Sequence, residues 1–178
     1  ELAKKIISNE TDDINREDLQ KEIEEIKNYK ESIDLFSKYL SENKKIIVVT
    51  DTDNDGSSAQ AIANTFLRGY KEGYNKLPDI DIIYAQHYEH NPVRGITLDV
   101  VKQWIEQNNL DKDEDFLIVT ADNGISSRVE QDKIMDYFGK ANLLITDHHN
   151  PEKESVVYDS ERSLVFDPKF EPKGYFKD

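Results

Sequence analysis

The stretch that decides the fold is residues 46–56, IIVVTDTDNDG, in which an apolar run leads directly into three alternating aspartates. Short runs rich in β-branched residues are typical of buried strands in a parallel sheet. The arrangement occurs twice more: FLIV at 116–119 leads to DNG at 122–124, and LLI at 143–145 leads to DHH at 147–149. Parallel strands end at one edge of a sheet, where open α/β sheets bind ligands, so the three fragments are predicted to form one site.

The predicted site is strongly acidic. Asp51, Asp53 and Asp55 alternate, and in an extended segment this spacing points all three side chains to the same side. Carboxylates cannot crowd together in this way unless cations neutralise them. Carboxylate oxygens together with imidazole nitrogens suit Mn²⁺, Mg²⁺ or Zn²⁺, so we expect a divalent-metal site.

The first fragment also begins like a calcium-binding EF-hand loop. Position twelve of such a loop is a bidentate Glu, whereas counting from Asp51 gives Ile62, and the preceding segment is strand-like rather than helical. The EF-hand interpretation is therefore rejected. Simpler interpretations stay open for the single fragments: Asp55 or Ser57 can cap the next helix, DNG is also an ordinary turn, and paired histidines can be a structural cap.

Helical and strand-like patterns alternate along the chain, which predicts an α/β fold with a parallel β-sheet flanked by helices on both faces. Strands are predicted at 46–50, 80–85, 116–120, 143–146 and 163–166, and helices at 57–73, 97–108 and about 127–139. Before them, apolar residues at helical spacing predict one amphipathic N-terminal helix over 15–43, packed on the edge of the core. We expect residues 1–43 to be a linker and this helix, and residues 44–178 to be the α/β domain.

Composition narrows the class of protein. The chain has 178 residues, of which 37% are hydrophobic, which is not a disordered composition. Its apolar runs are too short to span a bilayer, and no signal peptide is visible. It has no cysteine, which excludes thiolate catalysis and Cys-based zinc sites and fits a cytoplasmic location. The net charge of -14 aids solubility. It also disfavours binding of a long polynucleotide by this chain alone, unless bound cations or a separate basic domain compensate for the charge.

Together, the fragments resemble the motifs of the DHH phosphoesterase superfamily, which is named for its Asp-His-His motif. VVTDTDNDG at 48–56 and DNGIS at 122–126 are most similar to the RecJ branch of single-strand-specific 5′→3′ exonucleases. NPVRGITL at 91–98 resembles an Arg- and Gly-containing segment of that branch, and FDPK at 166–169 is similar to its Asn-Pro-Lys turn. The resemblance covers about residues 45–170.

The resemblance implies a centre that holds two divalent cations, Mn²⁺ or Mg²⁺. Asp53, Asp55 and His148 match metal ligands of the superfamily. Asp122 matches the carboxylate that bridges the two cations. All metal ligands within this stretch are present, which favours a catalytic protein.

The resemblance also implies roles beside the metals. His149 matches the second histidine of the motif, which contacts the scissile phosphate and can act as a general acid. Asp51 and Asp147 are expected to lie behind the ligands and orient them. Arg94 is expected either to bind a substrate phosphate or to be a surface arginine paired with one of many acids.

The implied activity is metal-dependent hydrolysis of phosphodiester bonds, with a RecJ-like 5′→3′ exonuclease on single-stranded DNA as the leading hypothesis. The alternatives are a phosphodiesterase for oligonucleotides or cyclic dinucleotides, and a non-catalytic scaffold in a replication or repair complex. The superfamily's fourth motif and C-terminal substrate-binding domain have no counterpart in residues 150–178, so we expect a truncated domain. Single-stranded nucleic acid would bind through the missing region, the helix at 15–43 is a candidate docking element for a protein partner, and no membrane is expected.

Overall fold

The structure is a computed structural model, and it describes residues 16–74, 79–84 and 95–170. The helices are α1 (Arg16–Glu24), α2 (Tyr29–Ser41), α3 (Asn54–Tyr74), α4 (Leu98–Gln107) and α5 (Arg128–Tyr137). The strands are β1 (Ile46–Thr50), β2 (Ile80–Tyr84), β3 (Leu117–Ala121), β4 (Asn142–Thr146) and β5 (Ser163–Phe166). The predicted α/β fold is confirmed. Within the described ranges, no helix is long and apolar enough to cross a membrane.

These strands form one parallel sheet in the order β2-β1-β3-β4-β5. The order reverses at β1, because the chain first moves outward to β2 and then returns to the other side of β1. A reversal of this kind leaves a crevice at the carboxyl ends of the two central strands, since their connections leave toward opposite faces. The sheet therefore provides a ligand-binding crevice between β1 and β3.

Side chains alternate between two buried faces of the sheet. Ile47 and Ile118 belong to one core cluster, which also contains Ile134 of α5. Val48 belongs to the opposite cluster, together with Tyr39 of α2, which is 1% exposed. Helices thus cover both faces, as the sequence predicts.

The prediction of one helix over 15–43 is wrong, because the chain forms α1 and α2 with a turn between them. Asn28 in this turn has a φ of 62°, a left-handed conformation that a helix interior does not allow. Its side-chain nitrogen donates to Oδ1 of Asp159 and to the carbonyl of Val165, both at 2.8 Å. These bonds hold the turn against β5.

The second of these helices packs over one face of the sheet and also contacts the edge strand β5. Tyr39 rather than Ile33 is its buried anchor. Ile33 is 46% exposed, whereas Phe36 and Leu40 are partly buried. The apolar spacing indicated a helical face but not which side of it the sheet would cover.

Four strands end in the same register. Thr50 pairs with Ala121, Ala121 with Thr146, and Thr146 with Phe166. The residue that follows each of these strand ends is an aspartate, namely Asp51, Asp122, Asp147 and Asp167. Neighbouring strands lie roughly 4.8 Å apart, so the four aspartates form a row along the carboxyl edge of the sheet.

Asp167 is the member of this row to which the sequence analysis gave no role. The residue is 1% exposed, its Oδ1 accepts from the backbone N–H of Lys169 at 2.6 Å, and its Oδ2 is buried with no hydrogen-bond partner. Burial raises the pKa of Asp167 to about 6, and the charge of Asp147 acts in the same direction. Ionised Asp167 therefore opposes folding at neutral pH.

We expect Asn28→Ala to lower the free energy of unfolding by about 3 kcal/mol, because it removes two hydrogen bonds and leaves a residue with a Cβ in the left-handed region. Asn28→Gly is the matched control, since it loses the same bonds but accepts a φ of 62° without strain. In urea unfolding, Asn28→Gly should lose roughly 1–2 kcal/mol less of the free energy of unfolding than Asn28→Ala. Equal losses would rule out a contribution from the backbone conformation.

We expect Asp167→Asn to stabilise the fold at neutral pH. An unfolded aspartate titrates near pH 4, whereas folded Asp167 titrates near 6. The folded state therefore binds the extra proton, stability falls as pH rises through this window, and the penalty is complete above it. In urea unfolding at about pH 7.5, the free energy of unfolding of Asp167→Asn should exceed that of the wild type by up to about 3 kcal/mol. This difference should vanish at about pH 4. A difference independent of pH would contradict this account.

Candidate metal centre

The aspartates of the loop after β1 accept different hydrogen bonds. Asp51 is 8% exposed and accepts from the next backbone N–H at 2.6 Å. Oδ1 of Asp53 accepts from the backbone N–H groups of Asp55 and Gly56 at 3.1 and 3.0 Å, so Asp53 caps α3. The bond from Gly56 in particular holds the pKa of Asp53 below its usual range. The capping role expected of Asp55 or Ser57 thus belongs to Asp53, because the helix begins one residue after it.

The loop turns more sharply than an extended strand. A Cβ at Gly56 would lie 2.3 Å from the carbonyl oxygen of Asp51, so no other residue fits there without a shift of the backbone. Asp51 and Asp53 line one cavity and Asp55 lines another. The expectation that all three side chains point to one side is therefore wrong, since the helix replaces the extended segment after Asp53.

Asp122, directly after β3, carries the most unusual carboxylate of the site. Its backbone is left-handed, with a φ of 65°, and its side chain is 7% exposed. Oδ1 and Oδ2 accept no hydrogen bond from a backbone N–H or hydroxyl group of the described residues, and Nε2 of His148 lies 2.8 Å from Oδ1. Burial raises the pKa of Asp122. A buried carboxylate without such donors is costly unless a cation binds it, so this residue fits a metal ligand.

Asp147 organises the loop after β4. Its Oδ2 accepts from the backbone N–H of Ile125 at 2.9 Å, and its Oδ1 accepts from that of His148 at 2.7 Å. Oδ1 also lies 2.6 Å from Nδ1 of His149, and this hydrogen bond raises the pKa of His149. With Nδ1 engaged, Nε2 of His149 is the nitrogen left for other chemistry. This geometry agrees with the orienting role predicted for Asp147, and the role itself stays a prediction.

Three side chains come together closely enough to share a cation. Asp122, His148 and His149 can each offer one ligand atom, with all three atoms within 4.8 Å of one another. Of the two other predicted ligands, Asp55 has its Oδ2 3.7 Å from Nε2 of His148. Asp53 caps α3 and also lies beside the carboxylate of Asp122. The structure thus brings Asp122, His148 and His149 together, and their roles as metal ligands stay a prediction. Arg94, the predicted phosphate ligand, lies outside the described residues.

Asn123 is a buried residue of the site to which the sequence motifs assigned no role of its own. It is 3% exposed, and its Nδ2 donates to the carbonyls of Val49 and Ala121 at 3.0 and 3.1 Å. Its Oδ1 accepts from the backbone N–H of Ile96, just before α4, at 3.0 Å. Only an amide side chain supplies two donors and an acceptor on one planar group, so an Asn after a buried strand was the available signal. It fastens β1 to β3 where the strand order reverses.

Two cavities flank the three grouped residues. The larger, of about 740 Å³, has polar walls that include Asp51, Asp53, Asn123, Ser127, His149 and Glu152. The smaller, of about 420 Å³, has Asp55, Asp122 and His148 on one side and Ala59, Ile62 and Phe166 on the other. A metal centre here would face a polar cavity and a partly apolar one.

Comparison with known proteins agrees with this architecture. Residues 45–166 match the family model described as DHH family, N-terminal domain. Among solved structures, RecJ from Thermus thermophilus in complex with Mn2+ superposes with a TM-score of 0.55 and 22% identity, covering 84% of this chain and 18% of that one. At this identity the likeness shows the fold alone.

No curated protein sequence is significantly similar to the chain. The family match, by contrast, spans well over half of the chain and includes all three acidic fragments. The predicted resemblance is therefore confirmed, and the chain belongs to the DHH family.

Proposed function

We propose that this chain is the catalytic part of a metal-dependent phosphoesterase that hydrolyses phosphodiester bonds. The observation that carries the proposal is the Asp122 carboxylate, which is buried beside His148 and His149 and accepts no hydrogen bond from a backbone N–H or hydroxyl group of the described residues. A cation bound between these three side chains would offset the cost of burying the carboxylate. Members of the DHH family are generally phosphoesterase hydrolases, which supports this interpretation.

The donors at the site fit divalent cations. Asp122 and His148 would hold one, with Asp55 completing its shell, and Asp53 would hold a second together with Asp122. The mixed oxygen and nitrogen donors favour Mn²⁺, which is also the metal of the Thermus RecJ structure, and Mg²⁺ is the alternative. When bound, the cations lower the pKa of water and neutralise charge on the phosphate.

The chain's own residues then orient groups and move a proton. Asp147 fixes the ring of His149 through Nδ1, which leaves Nε2 to contact the scissile phosphate. The raised pKa of His149 favours its protonated form, which can give a proton to the leaving oxygen and stabilise negative charge. The negative charge of Asp51 also raises the pKa of His149. Arg94 stays a predicted phosphate ligand.

Within this class, we propose a RecJ-like 5′→3′ exonuclease that acts on single-stranded DNA. The support is the form of the three motifs and the fold shared with Thermus RecJ. The chain spans 18% of that protein's length, and its net charge of -14 disfavours a long polyanion. The proposal therefore includes a basic, substrate-binding region outside these residues, and a protein partner that docks on α1 and α2. A cytoplasmic location stays a prediction from composition.

The test is hydrolysis by the protein of 5′-labelled single-stranded DNA, duplex DNA and a dinucleotide, with and without Mn²⁺ or Mg²⁺. We expect Asp122→Ala to reduce turnover by roughly a hundredfold or more while the fold is retained, because it removes the shared metal ligand. Asp113→Ala is the matched control, since Asp113 is exposed and lies before β3, at the opposite edge of the sheet.

The outcomes separate the candidate functions. Metal-dependent release of mononucleotides from 5′ ends of single strands would support the exonuclease. Cleavage of the dinucleotide alone would favour a phosphodiesterase for short or cyclic nucleotides. Full activity of Asp122→Ala, or metal binding without any turnover, would contradict the catalytic proposal and favour a scaffold.

A further inference from the structure

The grouped residues Asp122, His148 and His149 separate two cavities with unlike walls. His149 lines the larger, polar cavity, whereas Asp122 and His148 line the smaller one. A nucleotide likewise has two unlike parts, because its phosphate is charged and its base is flat, with largely apolar faces. We propose that the smaller cavity is a nucleobase subsite for a nucleotide adjoining the scissile phosphate, with Ile62 as its rim. This inference rests on the proposed function.

The walls of the smaller cavity carry both kinds of group that a nucleotide needs. Asp55, Asp122 and His148 form its acidic end, where the phosphate would bind with its cations. Ala59 and Ile62 follow Asp55 along α3 and form its apolar end, and the aromatic side chain of Phe166 at the end of β5 also lines the cavity. The volume of about 420 Å³ falls within the range of small-ligand sites. A base at the apolar end would leave its phosphate at the acidic end.

The position of Ile62 on α3 is what links the two ends. Asp55, Ala59 and Ile62 are spaced by four and three residues, so they follow one another along one face of the helix. Ile62 is two turns beyond Asp55, roughly 10 Å along the helix axis. Ile62 is 72% exposed, and it continues an apolar patch with Ala59 beside the acidic cluster. Contact with a base would cover this exposed surface.

An apolar groove continues from the same wall. A cavity of about 300 Å³ between α3 and the sheet shares Ala59 and Ile62 with the subsite and extends to Phe66. Beyond it, the ring centroids of Phe66 and Tyr70 lie 5.9 Å apart, and those of Tyr70 and Tyr74 lie 4.6 Å apart. Aromatic side chains in series are platforms on which successive bases of a single strand stack.

Charge along the helix also favours a polyanion. After Asp55, the charged residues of α3 are two basic ones, Arg68 and Lys71, and one acidic one, Glu72. Beyond Asp55, two basic residues and one acidic residue give this helix a net charge of +1, in a chain with a net charge of -14. A protein segment is the less suitable occupant of the subsite, because it would cover Asp122 and His148, which the proposed reaction needs open.

The experiment compares a dinucleotide with two analogues in which one of the two positions is abasic. Loss of the base that occupies the subsite should lower kcat/KM of the wild type about tenfold. Ile62→Ser should lower kcat/KM for the complete dinucleotide by a similar factor. It should leave kcat/KM unchanged for the analogue that lacks the base of the subsite. Ile62→Val should still prefer the complete dinucleotide over that analogue. Val129→Ser is the matched control, since Val129 is 64% exposed on α5 and should change neither.

Binding gives a readout that does not depend on turnover. With Mn²⁺ present, the wild type should bind deoxythymidine monophosphate about tenfold more tightly than deoxyribose 5-phosphate, and Ile62→Ser should lose that difference. If this holds without hydrolysis of any substrate, the subsite stands and the proposed function fails. Equal use of complete and abasic substrates overturns the subsite. The subsite is also overturned if Ile62→Ser lowers kcat/KM equally for the complete and the abasic substrates. A change in the self-association of Ile62→Ser, with its nucleotide preference intact, overturns it as well.

Discussion

A buried carboxylate that accepts no hydrogen bond from a backbone N–H or hydroxyl group is the feature that determines the site. Asp122 lies at the point where the strand order reverses, and both of its side-chain oxygens are buried, with Nε2 of His148 2.8 Å from Oδ1. A protein tolerates such a group when its rigid surroundings hold it and a ligand offsets the cost. Here Asn123 provides rigidity by joining the ends of β1 and β3, and Asp147 holds the adjoining histidine loop.

The sheet explains why these groups meet. In-register parallel strands place an aspartate at the same level after β1, β3, β4 and β5, which concentrates negative charge along one edge. Three of the four have a clear task, because Asp122 is free for a cation while Asp51 and Asp147 accept local hydrogen bonds. Asp167 at the end of the row is buried with a raised pKa, so the same geometry that builds the site also carries a folding penalty.

The elements that could be predicted are those with a local cause. Runs of β-branched residues that end in Asp determined the strands, and Thr97 before α4 accepts from Val100 as an N-cap should. The unpredicted features depend on distant contacts. The break at Asn28 is held by Asp159 and Val165, more than a hundred residues away in the chain. Likewise, the exposure of Ile62 follows from where α3 lies on the sheet, which periodicity does not specify.

Asp122 is expected to lower the free energy of unfolding when no metal is bound and to raise it when a cation is bound. The most direct measurement is urea unfolding of the wild type and Asp122→Asn, each with and without Mn²⁺. Without metal, Asp122→Asn should be more stable than the wild type, since burial raises the pKa of Asp122. With Mn²⁺ at about a hundredfold over its Kd, the wild type should gain about 2.7 kcal/mol and the variant little, which reverses the order. Equal stabilisation of both by Mn²⁺, or a less stable variant without metal, would contradict the account.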